Sequence, residues 1–349
     1  MLDPAAAATP AAAPGRVWRI EDLGSLWTLL ILFAIVAVFS VITPRHSFLS
    51  TTNFRDTLLN TSEILVVALG ETFVIVTAGI DLSVGAVLTF SSVAAALVMV
   101  QLSGTTAQEA AFEFPHEALG IPVGIAVGLA AGTAFGWVNG ILTARLRMPS
   151  FIVTLGTTGI AAGGADLLTG GTNVPNVPTD LQTWVGAGNV LRVVPVPVFI
   201  TLIAVVVCHL VLSATRFGRH TYAIGSNIEA ARLAGVRVDR HLIRVYTIAG
   251  FLSATAGIID LARFDTATIA GHATDNLTAI AAVVIGGTSL FGGAGTIIGT
   301  VIGTFIPAAL ANGFVIMGVQ PFWSLVALGA IIILAVFIDQ YRRAQRNWR

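Results

Sequence analysis

The chain has 349 residues, 55% of them hydrophobic and 10% charged, with a formal net charge of zero. Soluble domains carry about 25% charged residues, so the composition excludes a soluble globular protein and indicates an integral membrane protein. Zero net charge also argues against nucleic acid as a partner.

All eighteen basic residues are arginine. A chain without lysine cannot hold a standard Walker A phosphate loop. The single cysteine, Cys208, lies in an apolar run and reads as a buried structural thiol. There is no H-E-x-x-H spacing, so neither metal nor cofactor is expected, and an intramembrane protease is a weak reading.

Residues 1–20 are rich in Ala and Pro and read as an unstructured tail. Arg16 and Arg19 then precede an apolar run with no small-residue cleavage site, which predicts a signal anchor that stays as the first helix. A span needs about 20 apolar residues. Ten candidates follow: 26–42, 64–78, 85–102, 121–141, 151–168, 197–213, 245–259, 277–286, 296–313 and 322–338. The expected fold is an all-α polytopic membrane protein of about ten transmembrane helices, with a membrane body over 21–341, its longest inner segment 215–244, and a basic tail over 342–349. With both termini inside the cell, fourteen of the eighteen arginines fall on inner segments; Arg45, Arg55, Arg192 and Arg263 fall outside. The positive-inside rule selects that orientation in an inner, or cell, membrane.

The second span runs into an aspartate. Residues 74–88 read VIVTAGIDLSVGAVL, with Asp81 between Gly79 and Gly85. A charged aspartate at the centre of a membrane helix costs about 2.5–3.5 kcal/mol. Irregular backbone at that depth is tolerated only where protein or a water-filled cavity surrounds it. The stretch is either a re-entrant or membrane-edge turn, or a short cytoplasmic turn with a helix-capping aspartate. Residues 282–295, AVVIGGTSLFGGAG, repeat the plan. Pairing Gly79 with Gly287 sets Asp81 over Ser289 and Gly85 over Gly293. Asn139-Gly140 and Asn312-Gly313 follow in each half. Two pseudo-symmetric halves with broken or re-entrant segments are expected, and a substrate path at their interface is a common consequence.

Two outer loops read as solvated connectors or docking surface. Residues 103–120 carry Glu109, Glu113 and Glu117, and 170–196 hold Leu181 and Trp184 on a short interfacial helix. Other intramembrane acids, Glu63, Glu71 and Asp166, are functional candidates by default. His209 reads as a packed neutral histidine. The longest inner segment, 215–244, contains Ser226-Asn-Ile-Glu229, the spacing of a capping box in which Ser226 accepts an amide and Glu229 reaches back. A short helix then passes through Ala230, Ala231, Arg232 and Leu233 to Gly235, which ends it in a left-handed turn. Ile228, Ala231 and Leu233 give it an apolar side. Two turns are marginal alone in water, so the helix needs its own membrane domain or a partner to pack against.

Three motifs carry a resemblance. They are Gly79-Ile-Asp-Leu-Ser-Val-Gly85, the Tyr222-Ala-Ile-Gly-Ser-Asn227…Ala230-Ala-Arg-Leu-Ala-Gly235 loop, and Ile280-Ala-Ala-Val-Val-Ile-Gly-Gly-Thr-Ser-Leu-Phe-Gly-Gly293. Over roughly residues 26–340 the chain resembles the permease subunits of bacterial ABC importers for monosaccharides, the ribose/xylose/arabinose class. The resemblance implies a cytoplasmic ATP-binding subunit, a periplasmic sugar-binding protein and a second permease copy, usually identical, in the lipid bilayer. It also implies that Ser226, Asn227, Glu229, Ala230, Arg232 and Gly235 form the coupling helix that meets the ATPase. Two positions depart from the pattern: Asn276, Leu277 and Thr278 replace a Glu-Leu-Asp, and Pro149-Ser150 replaces a double proline. A neutral polyol needs hydrogen-bonding groups without a counter-ion. Asp81, Ser83, Asn139, Thr288, Ser289 and Asn312 are the candidates for its path, with helix packing the commoner role of such small polar residues. The alternative to an ATP-driven permease is a proton- or sodium-coupled secondary transporter; a membrane scaffold would not need the polar breaks.

Overall fold

The computed structural model describes residues 20–320 and 322–347. The tail with Arg16 and Arg19, and the terminal Arg349, lie outside the described residues.

Fourteen α-helices follow one another among the described residues: α1 (Ile20–Ile42), α2 (Thr51–Val76), α3 (Val84–Ser103), α4 (Thr106–Ala110), α5 (Glu117–Ala144), α6 (Ser150–Thr169), α7 (Thr179–Leu181), α8 (Val196–Ala214), α9 (Arg216–Ser226), α10 (Ile228–Leu233), α11 (Val238–Phe264), α12 (Asp275–Ile285), α13 (Ile297–Ile316) and α14 (Phe322–Asn347). Seven of them, α2, α3, α5, α6, α8, α11 and α13, are long and apolar enough to cross a membrane. Three shorter apolar stretches are Trp27–Ile42, Asp275–Ile285 and Phe322–Phe337. The ten apolar runs read from the sequence thus all fall on helices, but among the described residues only seven of those helices are both long and apolar enough for a full span. α12, with eleven residues, reaches only about 16 Å at 1.5 Å per residue. The remaining structure is small: strands β1 (Asn189–Val190) and β2 (Val194–Pro195) pair antiparallel, and a bridge joins Val174 to Ala267.

The core forms around α2 and α11. Val66, Val67, Ala68, Leu69, Val74 and Ile75 of α2 are fully buried, as are Val245, Ala249 and Leu261 of α11. α5 packs on α3 and α11 through glycines every fourth residue, from Gly120 to Gly140. A Cβ on Gly136 would stand 2.2 Å from the Tyr246 carbonyl, and one on Gly132 would stand 2.6 Å from the Ala254 Cβ. Four-residue spacing puts these glycines on one face, where small residues let helix backbones meet. α2 and α11 are further clasped by charge. Arg263 Nη1 lies 2.5 Å from Glu63 Oε1 and donates to the Leu59 carbonyl at 3.0 Å, while its Nη2 donates to Asn60 Oδ1 at 2.7 Å. Glu63 is therefore an answered carboxylate.

Candidate functional site

α2 stops at Val76 because its last turn closes as a Schellman motif. Ala78 takes the left-handed conformation at φ 63°. Its N–H donates to the Ile75 carbonyl at 2.9 Å, and the Gly79 N–H donates to the Val74 carbonyl at 3.1 Å. Residues 80–83 then climb along α6. The Ile80 N–H donates to Ser150 Oγ, and Thr158 Oγ1 donates to the Leu82 carbonyl. The Asp81 side chain is buried, at 2% exposure. Its Oδ1 accepts from the Ser83 N–H at 2.9 Å and from Ser83 Oγ at 2.5 Å. Asn139 Nδ2 of α5 donates to Ser83 Oγ at 2.9 Å. The aspartate forms an Asx turn on Ser83, the residue that precedes α3 and makes no capping bond of its own, and it does so inside the bundle rather than in a solvated turn. Gly79 serves close approach, since a Cβ there would stand 2.5 Å from Tyr246 Oη.

The second break ends α12 with the same motif. The Gly287 N–H, at φ 91°, donates to the Val284 carbonyl, and the Thr288 N–H donates to the Val283 carbonyl. The geometric equivalent of Gly287 is thus Ala78, one residue before the Gly79 that sequence matching selects. Aligned by hydrogen bonds, Asp81 faces Leu290, not Ser289. Thr288 is buried with no partner for its hydroxyl among the described residues, while Ser289 is half-buried and its Oγ accepts from the Phe291 N–H. The Asn-Gly echo does not hold in space. Asn312 lies on α13, the helix directly after its break, whereas Asn139 lies on α5, one long helix further on. Asn312 donates to Asn53 Oδ1 and Thr57 Oγ1 near the start of α2, far along that helix from the Asp81 network.

The two breaks touch, and α9 is wedged against both. The Gly293 N–H donates to the Val76 carbonyl at 2.9 Å. A Cβ on Gly225 of α9 would stand 1.8 Å from that carbonyl oxygen and 2.5 Å from the Gly293 nitrogen. Gly293, at φ 75°, leaves only 2.6 Å between its Cβ position and Ser226 Oγ, so both its backbone conformation and its neighbour require glycine. Tyr222 Oη donates to the Gly295 carbonyl at 2.7 Å. The tip beyond α9 is capped by Asn227, whose Oδ1 accepts from the Glu229 and Ala230 amides. Ser226 is not the cap: α9 extends through it, and the extended Asn227 is the first residue free to turn its side chain onto the next helix. Glu229 pairs with Arg232 at 2.8 Å instead of reaching back. Gly235, at φ 82°, closes α10 as expected. Of the apolar side, Ala231 is buried against Ile224 and Val238, but Ile228 is 39% and Leu233 91% exposed. α10 therefore packs on its own chain through one alanine and presents Leu233 to the surroundings.

The groups the sequence marked singly lie in different parts of the bundle. Glu71, fully buried on α2, lies against the Asp81 backbone, and no hydrogen bond of good geometry reaches either carboxylate oxygen among the described residues. Asp166 is exposed near the end of α6, and His209 is half-buried on α8. Asn276, one of the positions that depart from the resembled pattern, donates from Nδ2 to the Leu82 carbonyl at 3.1 Å, so it ties α12 to the first break. Just before it, His272 Nδ1 lies 2.8 Å from Asp275 Oδ2, and Nε2 lies 3.2 Å from Asp260 Oδ2 but off the line of a hydrogen bond. Burial pushes this imidazole down, but Asp260 and Asp275 outweigh it and raise it to about 10. The His272 carbonyl abuts Gly85 at the start of α3. The sequence signals were uneven: the glycine repeat of α5 was legible at its four-residue spacing, whereas the roles of Tyr222, Gly225, Tyr246 and His272 come from contacts distant in the chain.

At the outer loops, Leu181 is buried and Trp184 is 71% exposed. The short helix expected there is present as α7 and a π-turn over Gln182–Gly186.

Residues 53–336 match the family described as branched-chain amino acid transport system / permease component. The chain is 37% identical over 336 residues to the ribose import permease protein of Escherichia coli strain K12, spanning 94% of this chain and 96% of that protein. It is 40% identical over 313 residues to the ribose import permease protein of Bacillus subtilis strain 168, spanning 90% and 92%. It is 35% identical over 314 residues to the D-allose transport system permease protein of E. coli strain K12, spanning 90% of each. No solved structure matches the chain.

Proposed function

The chain belongs to the family of transport-system permease components, and on that premise we propose that it is the membrane subunit through which an ATP-driven ABC importer moves a monosaccharide into the cell. The relatives named for ribose and D-allose import support a pentose or hexose as cargo. The chain has no lysine for a phosphate loop, so ATP hydrolysis belongs to a separate cytoplasmic ATP-binding subunit. A periplasmic sugar-binding protein delivers the cargo, and a second, identical permease copy completes the path. Both termini face the cytoplasm, in keeping with the arginine distribution.

One observation carries the mechanism: α9 touches both helix breaks at once, through Gly225 and Ser226. The ATP-binding subunit receives α10, with exposed Leu233 as the anchor. Its closure on ATP moves α10 and α9 as a lever, and the lever shifts the Val76–Gly293 contact. The polar groups of the first break, Asp81, Ser83 and Asn139, then open to one side or the other. Sugar hydroxyls exchange hydrogen bonds with such groups at little net cost, which suits a weak site passed in transit.

The test is co-purification of the full chain with its ATP-binding subunit, followed by ATPase assays with ribose-loaded and allose-loaded binding proteins. Stimulation by one loaded protein supports the proposal and names the sugar. Sugar uptake by the chain alone under a proton gradient would overturn it in favour of a secondary transporter. Leu233→Asp, at a position that packs on nothing in this chain, should abolish co-purification with the ATP-binding subunit while leaving the thermal stability of the isolated chain unchanged.

A further inference from the structure

At the end of the bundle that carries α9 and α10, a groove of about 580 Å³ opens between α5, α9 and α11. Arg145 closes α5, and Arg240 and Arg244 stand in the first two turns of α11; all three line the groove. They are exposed, and among the described residues none has a carboxylate within ion-pair distance. Deeper along the same two helices the lining turns apolar, with Trp137 and Ile141 on α5 and Ile248 on α11. Trp137, Ile141 and Arg145 are spaced by four and share one helix face. From Arg145 to Trp137 the groove descends about 12 Å at 1.5 Å per residue. Phe217 of α9 completes the wall.

The gradient has a specific chemical meaning. Three like charges that converge without an acid repel one another, and an anion set among them relieves that repulsion. A small free anion or an acidic peptide would leave the apolar depth unfilled. An amphiphile with a phosphate at one end and hydrocarbon at the other fills both. Basic pockets between helices near the cytoplasmic surface have this character in membrane proteins. We propose that the groove binds an anionic phospholipid, its headgroup phosphate on Arg145, Arg240 and Arg244 and an acyl chain along Ile141 and Ile248. The site also reaches the transport machinery. The Phe217 ring lies 4.3 Å from that of His241 and 6.1 Å from that of Phe73 on α2, and the far end of the same α9 holds Gly225 between the two breaks. A bound lipid therefore braces the lever at its base.

Native mass spectrometry of the delipidated full chain, titrated with phosphatidylglycerol or with phosphatidylcholine of the same acyl chains, tests this. Phosphatidylglycerol should bind the native chain well above phosphatidylcholine. The combined Arg145→Gln, Arg240→Gln, Arg244→Gln variant should bind it roughly a hundredfold more weakly, taking the usual contribution of each arginine near an anionic surface. If that variant fails to fold, Arg240→Gln alone should weaken binding by about fivefold. Removing three other exposed arginines at the same end, by Arg147→Gln, Arg219→Gln and Arg237→Gln, should leave binding unchanged. Three results would each overturn the proposal: equal weakening in that second variant, which would mean diffuse surface charge; displacement of the lipid by millimolar inorganic phosphate, which would mean a bare anion site; or a Trp137→Ala variant that keeps its lipid but loses self-association, which would make the groove an interface between copies.

Discussion

The two helix breaks close with the same Schellman hydrogen bonds yet are held open by opposite means. In the first, the left-handed residue is Ala78, not glycine, and the following turn is fixed by side chains: Asp81, Ser83, Asn139, and the hydroxyls of Ser150 and Thr158. In the second, Gly287, Gly292, Gly293 and Gly295 all lie at positive φ, with side chains entering through the Ser289 turn and the Tyr222 hydroxyl on the Gly295 carbonyl. The first break is a polar joint, specified by hydrogen bonds. The second is a backbone joint, specified by the lack of Cβ atoms where another backbone must approach. A joint of the second kind can change shape with few side-chain partners to lose, which suits the face that meets α9. The first must keep its partners to keep its shape, and its polar groups Asp81, Ser83 and Asn139 are buried among one another.

The contact between the joints is the most sensitive point. Gly225→Ala places a methyl 1.8 Å from the Val76 carbonyl oxygen. Sugar uptake in cells should fall by more than about a hundredfold, as overpacking by roughly 3 kcal/mol separates the joints, while membrane insertion persists. Near-normal uptake would show that the α9 contact is not part of the path.

Next in size is Asp81. Asp81→Ala strands the buried Ser83 N–H and should lower the stability of the purified chain by about 1–3 kcal/mol. Asp81→Asn retains an acceptor and should cost less than about half of that, yet should lower uptake by more than it lowers the amount of folded protein. Parallel losses in uptake and folded protein would reduce Asp81 to a helix cap.

Ala78→Gly makes the first joint resemble the second. Relief of the left-handed alanine should raise stability by about 1 kcal/mol, readable as a higher Tm in detergent; a fall would mean that the Ala78 methyl packs better than its backbone suffers. The smallest effect is expected at Thr288→Val. The Thr288 hydroxyl is buried without a partner among the described residues, so an isosteric methyl should leave stability unchanged or raise it by up to about 1 kcal/mol. A loss of uptake with stability intact would assign that hydroxyl to the sugar path, for which the sequence makes it a candidate.

Much of this was legible from residue order. Helices follow from apolar runs, and the breaks from charge and glycine inside them. The end of α10 at Gly235 and the coincidence of motif with break were both readable. The errors share one cause. Motif spacing makes Ser226 a cap and pairs Gly79 with Gly287, because local spacing cannot tell where the preceding helix stops. That end is set by the hydrogen bonds of the last turn, which move by one residue without disturbing any motif. The pairing of Asn139 with Asn312 failed for a related reason: similar dipeptides on different helices carry no information about depth.

Composition alone placed this chain in a membrane, because a charged fraction of 10% cannot keep so much apolar surface in water. Periodicity and breaks then determined which segments are helices and where they interrupt. Tertiary structure decided the rest. The Glu63–Arg263 pair joins positions 200 residues apart, and Gly225 meets the two breaks from about 150 and 70 residues away along the chain. Such contacts depend on the distance between backbones, and that distance is fixed only when every helix has packed.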